Sequence, residues 1–160
     1  MELPTKTNGT AISLSNIKFS WGPAKSDFQL KINNFQLQRQ ESAILVGPSG
    51  AGKSTLLSLI CGTIQPKEGS VKILDQTTEN KSAAEKDSFR ADHLGIIFQQ
   101  FNLIPYLSAV DNVLLPLHFS YNRKKRSGET QSKLVQEAER LLRALGIAPE
   151  TLGKQKANTL

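Results

Sequence analysis

The feature that most constrains this chain is the segment 47–55, Gly-Pro-Ser-Gly-Ala-Gly-Lys-Ser-Thr, which fits the pattern G-x-x-x-x-G-K-[ST]. Glycines at such spacing let a backbone approach a polyphosphate closely or take positive φ angles. The apolar run 42–46 before the segment predicts a strand, and the run 54–61 after it predicts a buried helix. A strand, a glycine-rich loop and a helix in this order are typical of a phosphate-binding loop.

The residue types of this loop predict how it would hold a nucleotide. A helix N-terminus carries unpaired N–H groups and positive partial charge, so we expect the amides of residues 50–55 to face the α- and β-phosphates. Lys53 would place its ammonium on the β- and γ-phosphates, and Ser54 would offer its hydroxyl oxygen to Mg²⁺. A chance glycine-rich turn before a helix is the alternative. The predicted nucleotide-binding residues are Gly47, Pro48, Ser49, Gly50, Ala51, Gly52, Lys53, Ser54 and Thr55.

Length and composition predict one globular domain. The chain has 160 residues, 38% of them hydrophobic and 21% charged, and its mean hydropathy is −0.31. These values are ordinary for a domain with a real core. No apolar run approaches the roughly 18 residues that a membrane-spanning helix needs. Cys61 is the lone cysteine, so a disulfide framework within the chain is excluded, which fits a reducing compartment.

The net charge of +6 raises the question of a nucleic-acid partner. Four of the basic residues stand together in the segment 122–126, Asn-Arg-Lys-Lys-Arg. The segment has no interleaved aromatic residue and no zinc or helix-turn-helix signature, so its pattern does not favour nucleic acid. We predict a solvated linker between two helices, with contact to acidic lipid headgroups or to a partner protein as the alternatives.

Alternating apolar residues predict a β layer ahead of the loop. Residues 1–10 are polar and predict a flexible N-terminus. Ile12 and Leu14, followed by Ile17 and Phe19, predict a strand with one slip of register, and the segment 28–37 repeats this arrangement. With a turn at residues 22–23 between them, the two strands are expected to pair antiparallel. A further strand is predicted at 69–74.

The second half of the chain carries mainly helical patterns. A polar helix is predicted at 82–92 and an apolar interior strand at 94–98. A helical stripe follows at 109–117 and closes near Pro116. The segment 130–145 has one clear apolar face, and Gly146 supplies its C-terminal stop.

Three segments together share the motifs of one family. The loop continues as Gly-Pro-Ser-Gly-Ala-Gly-Lys-Ser-Thr-Leu-Leu, a Glu-Gly-Ser-Val turn and strand begins at Glu68, and the segment 94–105 resembles a Q-loop at the expected distance from Lys53. From Ile12 onward the chain therefore resembles the ATP-binding subunits of ABC transporters. The resemblance implies an α/β fold of the ABC-type P-loop NTPase class, with an antiparallel β layer, a parallel core sheet and helices. Residues 11–160 would be the N-terminal part of that ATP-binding domain.

The resemblance also implies roles for residues outside the loop. Gln99 would be the Q-loop glutamine, an accessory residue whose amide reaches Mg²⁺ and the γ-phosphate, with Gln100 as its competitor for that role. Ser54 and Gln99 are thus the expected metal ligands. Trp21 resembles the aromatic residue that stacks on adenine, where the family more often has tyrosine; packing in the core is the alternative. Residues 111–117 are similar to the N-V-x-x-P-L pattern of the lipoprotein-releasing and macrolide-exporter branch.

The later motifs of the family are not found in the chain. Its last residue, Leu160, would be the first residue of the L-S-G-G-Q signature, and no Walker B strand or switch histidine follows. Asp92, Asp111, His93 and His118 stand in other contexts, so no catalytic residue is assigned. Hydrolysis needs a carboxylate that orients or deprotonates water. We therefore expect a chain truncated at its C-terminus that binds nucleotide without turning it over.

The resemblance implies a motor for transport. The complete protein would bind and hydrolyse ATP with Mg²⁺ as the ATPase subunit of an ABC transporter. Its expected partners are transmembrane permease subunits and a second ATP-binding subunit, without nucleic acid. It would lie in the cytoplasm, at the inner face of the membrane through the permease. Two alternatives stay open: a short nucleotide-binding module that never hydrolyses, and a non-transporter ABC ATPase acting on DNA or the ribosome.

Overall fold

A computed structural model describes residues 9–22, 28–77, 79, 81–98 and 102–148. The chain divides into two compact units, Met1–Lys86 and Asp87–Leu160. The first unit contains β1 (Thr10–Phe19), β2 (Leu30–Gln38), α1 (Lys53–Ile60), β3 (Glu68–Ile73), β4 (Gln76–Thr77) and the start of α2 (Ala83–His93). The second unit contains the rest of α2, α3 (Ala109–Leu114), a 3₁₀ helix (Leu115–His118), α4 (Tyr121–Ser127) and α5 (Gln131–Ala144).

The strands of the first unit form an antiparallel sheet in the order β2-β1-β3-β4. Side chains alternate between the two faces of a strand, so Leu14 and Ile17, three positions apart, would normally face opposite sides. Both are nonetheless buried. The pairing of β1 with β3 shifts register between Ser15 and Lys18, and Asn16 has a φ of 51°. The predicted antiparallel layer and its slip of register are therefore confirmed.

Gly69 allows β3 to approach the irregular part of β1 closely. A Cβ atom at Gly69 would lie 2.4 Å from the carbonyl oxygens of both Ser15 and Asn16, and the φ of Gly69 is +91°. Helix α1 contacts β3, which places the helix that follows the loop against the sheet. Among the described residues of this unit, the buried apolar side chains are Leu14, Ile17, Phe19, Leu59, Val71 and Ile73.

The second unit has a core of its own, built by α3 and α5. The apolar face predicted for 130–145 is confirmed, because Leu134, Ala138 and Leu142 are buried in this cluster. Their buried partners on α3 are Ala109, Val110 and Leu114. The α-helical part of α3 is shorter than the predicted 109–117. Proline lacks an N–H group, and the chain continues through Pro116 as the 3₁₀ helix.

Two predicted strands are absent from the part of the chain that the structure describes. The segments 42–46 and 94–98 have no regular secondary structure, and Ile44, Val46 and Ile97 are 87%, 89% and 99% exposed. A central parallel strand requires hydrogen-bonded neighbours and cover on both faces. No described strand pairs with either segment, so the described residues do not form the expected parallel core sheet.

The prediction that the basic segment 122–126 is a linker was wrong, because the segment is helical. Ser120 caps α4: its Oγ accepts a hydrogen bond from the backbone N–H of Arg123 at 3.0 Å. The same hydroxyl donates to the carboxylate of Asp92, and the Asn122 side chain donates to the other oxygen of that carboxylate at 2.8 Å. These contacts offset the mutual repulsion of neighbouring cations.

Several sequence predictions fall outside the described residues. They concern residues 1–8, the two candidate Q-loop glutamines Gln99 and Gln100, and Leu160. Strand β1 begins at Thr10, within the segment 1–10 that was expected to be flexible. None of the described helices is both long and apolar enough to cross a membrane.

Candidate functional site

The start of α1 is open to an anion. The helix begins at Lys53, and its N-cap residue is Gly52, which has φ 87° and ψ 11° and no side chain that caps the helix. The first N–H groups of a helix have no partner within the helix. No side chain at the cap accepts a hydrogen bond from these groups. They are therefore available to an anion, together with the positive end of the helix dipole.

Gly52 is needed for space as well as for its φ angle. A Cβ atom at this position would lie 3.0 Å from Cζ of Phe28 and 3.4 Å from Cδ1 of Leu30. Phe28 comes just before β2, so the loop runs close to the end of that strand. A larger residue at position 52 would have to displace the Phe28 ring.

An open cavity of about 460 Å³ lies over the loop. The predicted residues that line it are Ser49, Gly50, Gly52, Lys53, Ser54 and Thr55, joined by Phe28. Its polar groups are hydroxyls and an ammonium, and none of these described lining residues carries a carboxylate. A site of this composition suits an anionic, oxygen-rich ligand.

Lys53 holds the loop in its present shape. Its ammonium donates to the carbonyl oxygens of Gly47 and Pro48, each at 2.7 Å. These acceptors are neutral. Phosphate oxygens are negatively charged and form stronger, charge-assisted hydrogen bonds with an ammonium. The lysine therefore has the reach to exchange loop carbonyls for phosphates.

The structure brings Trp21 to the same place, although 34 residues separate it from Thr55. The indole Nε1 donates to Thr55 Oγ1 at 3.4 Å. The ring packs edge to face on Phe19, with centroids 5.0 Å apart and an interplanar angle of 88°. Trp21 is 55% exposed, so it is not packed in the core. An indole face beside a phosphate cradle is a platform on which a base could stack.

The predicted metal ligands are only partly within the described residues. Ser54 lines the cavity and supplies a hydroxyl oxygen, the hard donor type that Mg²⁺ prefers, so the residues present fit that ion. Gln99, the other predicted ligand, lies outside the described residues. Among the described residues there is no group of three or more His, Cys, Asp or Glu side chains that could hold a metal alone.

The acidic residues that received no catalytic role have structural ones. Hydrogen bonding from Ser120, helped by Asn122 and by the nearby charges of His93 and Arg123, lowers the pKa of the Asp92 carboxyl, against the opposing effect of burial. Asp111 accepts a hydrogen bond from the Ser108 hydroxyl at 2.7 Å, at the start of α3. Both carboxylates stabilise helices of the second unit.

Sequence reasoning missed Phe28 as a lining residue of the cavity. Phe28 belongs to an alternating apolar pattern, which indicated a strand and gave no sign that the residue would meet the loop. The signal lay in Gly52, since a glycine just before a helix indicates a close approach by some other group.

Comparisons with known proteins identify the family. The model of the family described as "ABC transporter" matches residues 30–160. The chain is 43% identical over 110 residues to the ABC transporter ATP-binding protein MJ0796 of Methanocaldococcus jannaschii, covering 69% of this chain and 46% of that protein. It is 35% identical over 138 residues to an ABC transporter ATP-binding protein of Mycobacterium tuberculosis, covering 86% of this chain and 53% of that protein.

A solved structure supports the same assignment. The ATP-binding cassette MJ0796, solved as a dimer in a post-hydrolysis state with ADP and Pi, superimposes with a TM-score of 0.69 at 30% identity, over 93% of this chain and 62% of that one. The present chain thus spans about half the length of the curated relatives it matches. The family model, the relatives and the shared fold place this chain in the ABC transporter family, as an ATP-binding domain.

Proposed function

We propose that this chain binds ATP at the loop 47–55 and is the nucleotide-binding part of an ABC transporter. The observation that carries the proposal is the contact between Trp21 and Thr55, because it puts an exposed aromatic ring beside a polyphosphate loop. A ligand that satisfies both features has a base at one end and phosphates at the other. A nucleoside triphosphate has that form.

Each part of the ligand has a partner of matching chemistry. The adenine ring stacks on the Trp21 indole, and base stacking of this kind contributes about 1–3 kcal/mol. The phosphates accept hydrogen bonds from the free N–H groups at the start of α1. Lys53 then turns its ammonium from the carbonyls of Gly47 and Pro48 to the β- and γ-phosphates. Because those two carbonyls lose a partner, the loop rearranges as the ligand enters.

Mg²⁺ is proposed as the metal, with Ser54 and Gln99 as its protein ligands. When bound, it would supply positive charge that neutralises part of the phosphate charge. Ser54 lines the cavity in which the phosphates of the proposed ligand would lie.

In the complete protein we propose ATP hydrolysis, coupled to the transport of a substrate across a membrane. The described residues that line the cavity include no carboxylate to orient or deprotonate water. We therefore expect the 160-residue chain to bind ATP without releasing phosphate from it.

The family assignment supports a proposal for partners and location. MJ0796 was solved as a dimer, which supports a second ATP-binding subunit as a partner in the complete protein. Transmembrane permease subunits are the other proposed partners, and they would hold the protein at the cytoplasmic face of the membrane. The pattern in residues 111–117 favours the lipoprotein-releasing and macrolide-exporter branch.

The experiment that tests this proposal is calorimetric titration of the chain with ATP in the presence of Mg²⁺. Lys53→Ala removes a charge-assisted hydrogen bond to phosphate and is expected to weaken ATP binding by about 10- to 100-fold. Lys72→Ala is the matched control, because Lys72 is an exposed lysine of β3 in the same unit. Equal ATP affinity in the two variants, or no binding by the unmodified chain, would contradict the proposal.

A further inference from the structure

Lys67 makes contacts that the proposed roles above do not use. Its ammonium donates to Ser20 Oγ at 2.6 Å and to the carbonyl oxygen of Gly22. Its backbone N–H donates to the carbonyl of Lys18 at 2.8 Å. Lys67 is therefore attached to the end of β1 through its main chain and to the residues just beyond β1 through its side chain.

The two oxygen atoms that Lys67 holds lie on either side of Trp21. Strand β1 ends at Phe19, so the strand ladder does not restrain residues 20–22. The Lys67 side chain, just before the neighbouring strand β3, restrains them instead, and Ser20, which it contacts, is 8% exposed. Hydrogen bonds from an ammonium are about twice as strong as those between neutral groups. We call this pair of contacts to Ser20 and Gly22 the Lys67 clamp.

The clamp and the other contacts of Trp21 restrain different parts of the residue. Phe19 and Thr55 contact the indole ring itself, whereas the clamp holds the Ser20 hydroxyl and the Gly22 carbonyl on either side of Trp21. The acidic neighbour of Lys67, Glu68, is bound instead by Lys18 at 2.6 Å. No described carboxylate forms an ion pair with Lys67, so its ammonium binds the oxygens of Ser20 and Gly22 without a competing carboxylate.

We infer that Lys67 is a positioning residue for adenine, which fixes Trp21 in place before the nucleotide arrives. This inference rests on the proposed function, since it requires that a base stack on Trp21. A platform that is already ordered does not lose conformational freedom when the ligand binds, so the clamp raises affinity for the base without touching it. The clamp does not raise the affinity for the triphosphate part of the ligand.

That difference between base and triphosphate gives the test. Lys67→Met keeps most of the side-chain length and removes the ammonium. Its affinity for Mg-ATP is expected to fall about tenfold, within the factor of about 5 to 150 that loss of a base stack can cost. Its affinity for inorganic tripolyphosphate should stay within about twofold of the unmodified chain. Lys31→Met is the matched control: Lys31 of β2 and Lys67 line a second cavity, and Lys31 forms no side-chain hydrogen bond with the described residues.

Lys67→Arg restores two donors and should recover most of the ATP affinity. If Lys67→Met binds ATP as tightly as the unmodified chain, the positioning role is wrong. If the variant loses ATP and tripolyphosphate affinity equally, Lys67 supports the fold in general, and the positioning role is also wrong. Failure of the unmodified chain to bind ATP would instead contradict the proposed function, so the two failures are distinguishable.

Discussion

At the scale of single residues, the glycine-rich loop 47–55 depends on backbone positions that only glycine fits well. Gly50 and Gly52 both have positive φ angles, +81° and +87°. A Cβ atom at Gly50 meets nothing within 4 Å, whereas one at Gly52 meets Phe28 at 3.0 Å. The two positions thus separate the cost of the backbone conformation from the cost of the contact.

We predict that Gly50→Ala lowers the free energy of unfolding of the first unit by about 1–2 kcal/mol, the usual cost of a left-handed conformation for an L-residue. Gly52→Ala should cost more, because the Phe28 ring must also move. Denaturant unfolding followed by the emission of Trp21, which lies in this unit, measures both. Equal losses of stability in Gly50→Ala and Gly52→Ala would contradict the close approach of Phe28 to the loop.

The sequence predicted residues well where one residue type performs one local task. Lys53 and Ser54 stand at fixed positions of a short motif, and the structure places both at the cavity. Phe28 and Lys67 were not predicted, because each acts through a partner distant in the chain: Lys67 lies 47 residues from Ser20. A contact of that length depends on the pairing of β1 with β3, which residue types alone do not specify.

At the scale of secondary structure, α4 shows how capping overrides charge. Its basic residues repel one another, yet the Ser120 hydroxyl caps the helix and also donates to Asp92. Ser120 is 1% exposed, so its hydroxyl cannot readily replace these contacts with water. The sequence carried both end signals, Ser120 before the helix and Gly128 after it, but the four cations between them favoured a linker.

We predict that Ser120→Ala lowers the free energy of unfolding of the second unit by about 1–3 kcal/mol, from a lost N-cap and a lost hydrogen bond to a carboxylate. Ser127→Ala is the control, since Ser127 lies on the same helix and makes no side-chain hydrogen bond with the described residues. Thermal unfolding followed by far-ultraviolet circular dichroism reports on these helices. A loss no larger than that of the control would contradict the capping role.

The same contact predicts a pH dependence. The Asp92 pKa is lower in the folded chain than in the unfolded chain, chiefly because Ser120 donates to the charged form. The stabilisation is therefore fully present above the unfolded value of about 4 and is lost as the pH falls toward the folded value. We expect the unfolding free energy to decline with pH below about 4, and to decline less in Asp92→Asn. Parallel pH profiles for the two proteins would contradict this role of Asp92.

Local sequence patterns predicted the antiparallel strands and the apolar helix face correctly, whereas the two predicted parallel strands are absent from the described residues. The alternation in β1 and the apolar face of α5 are contained in the segments themselves, and both predictions were confirmed. The segments 94–98 and 42–46 are as apolar as interior strands, but an apolar run becomes a strand only beside hydrogen-bonding neighbours. The described residues provide none, and Ile97 is accordingly 99% exposed.

At the scale of the whole molecule, the described residues of the proposed nucleotide site all belong to the first unit. Trp21 lies just after β1, Lys53 and Ser54 begin α1, and Lys67, just before β3, contacts the two residues on either side of Trp21. The family assignment accounts for the loop and the fold. The claim that remains specific to this chain is that Trp21 and the loop act as one site for one ligand.

Titration of Trp21 fluorescence with ATP in the presence of Mg²⁺ tests that claim most directly. Trp21 is the one tryptophan in the sequence, so its emission reports on the platform alone. We predict a saturable change with ATP, a much smaller change with inorganic tripolyphosphate, which has no base, and a midpoint shifted to higher ATP concentration in Lys53→Ala. An emission that does not respond to ATP, while calorimetry establishes that ATP is bound, would contradict the account.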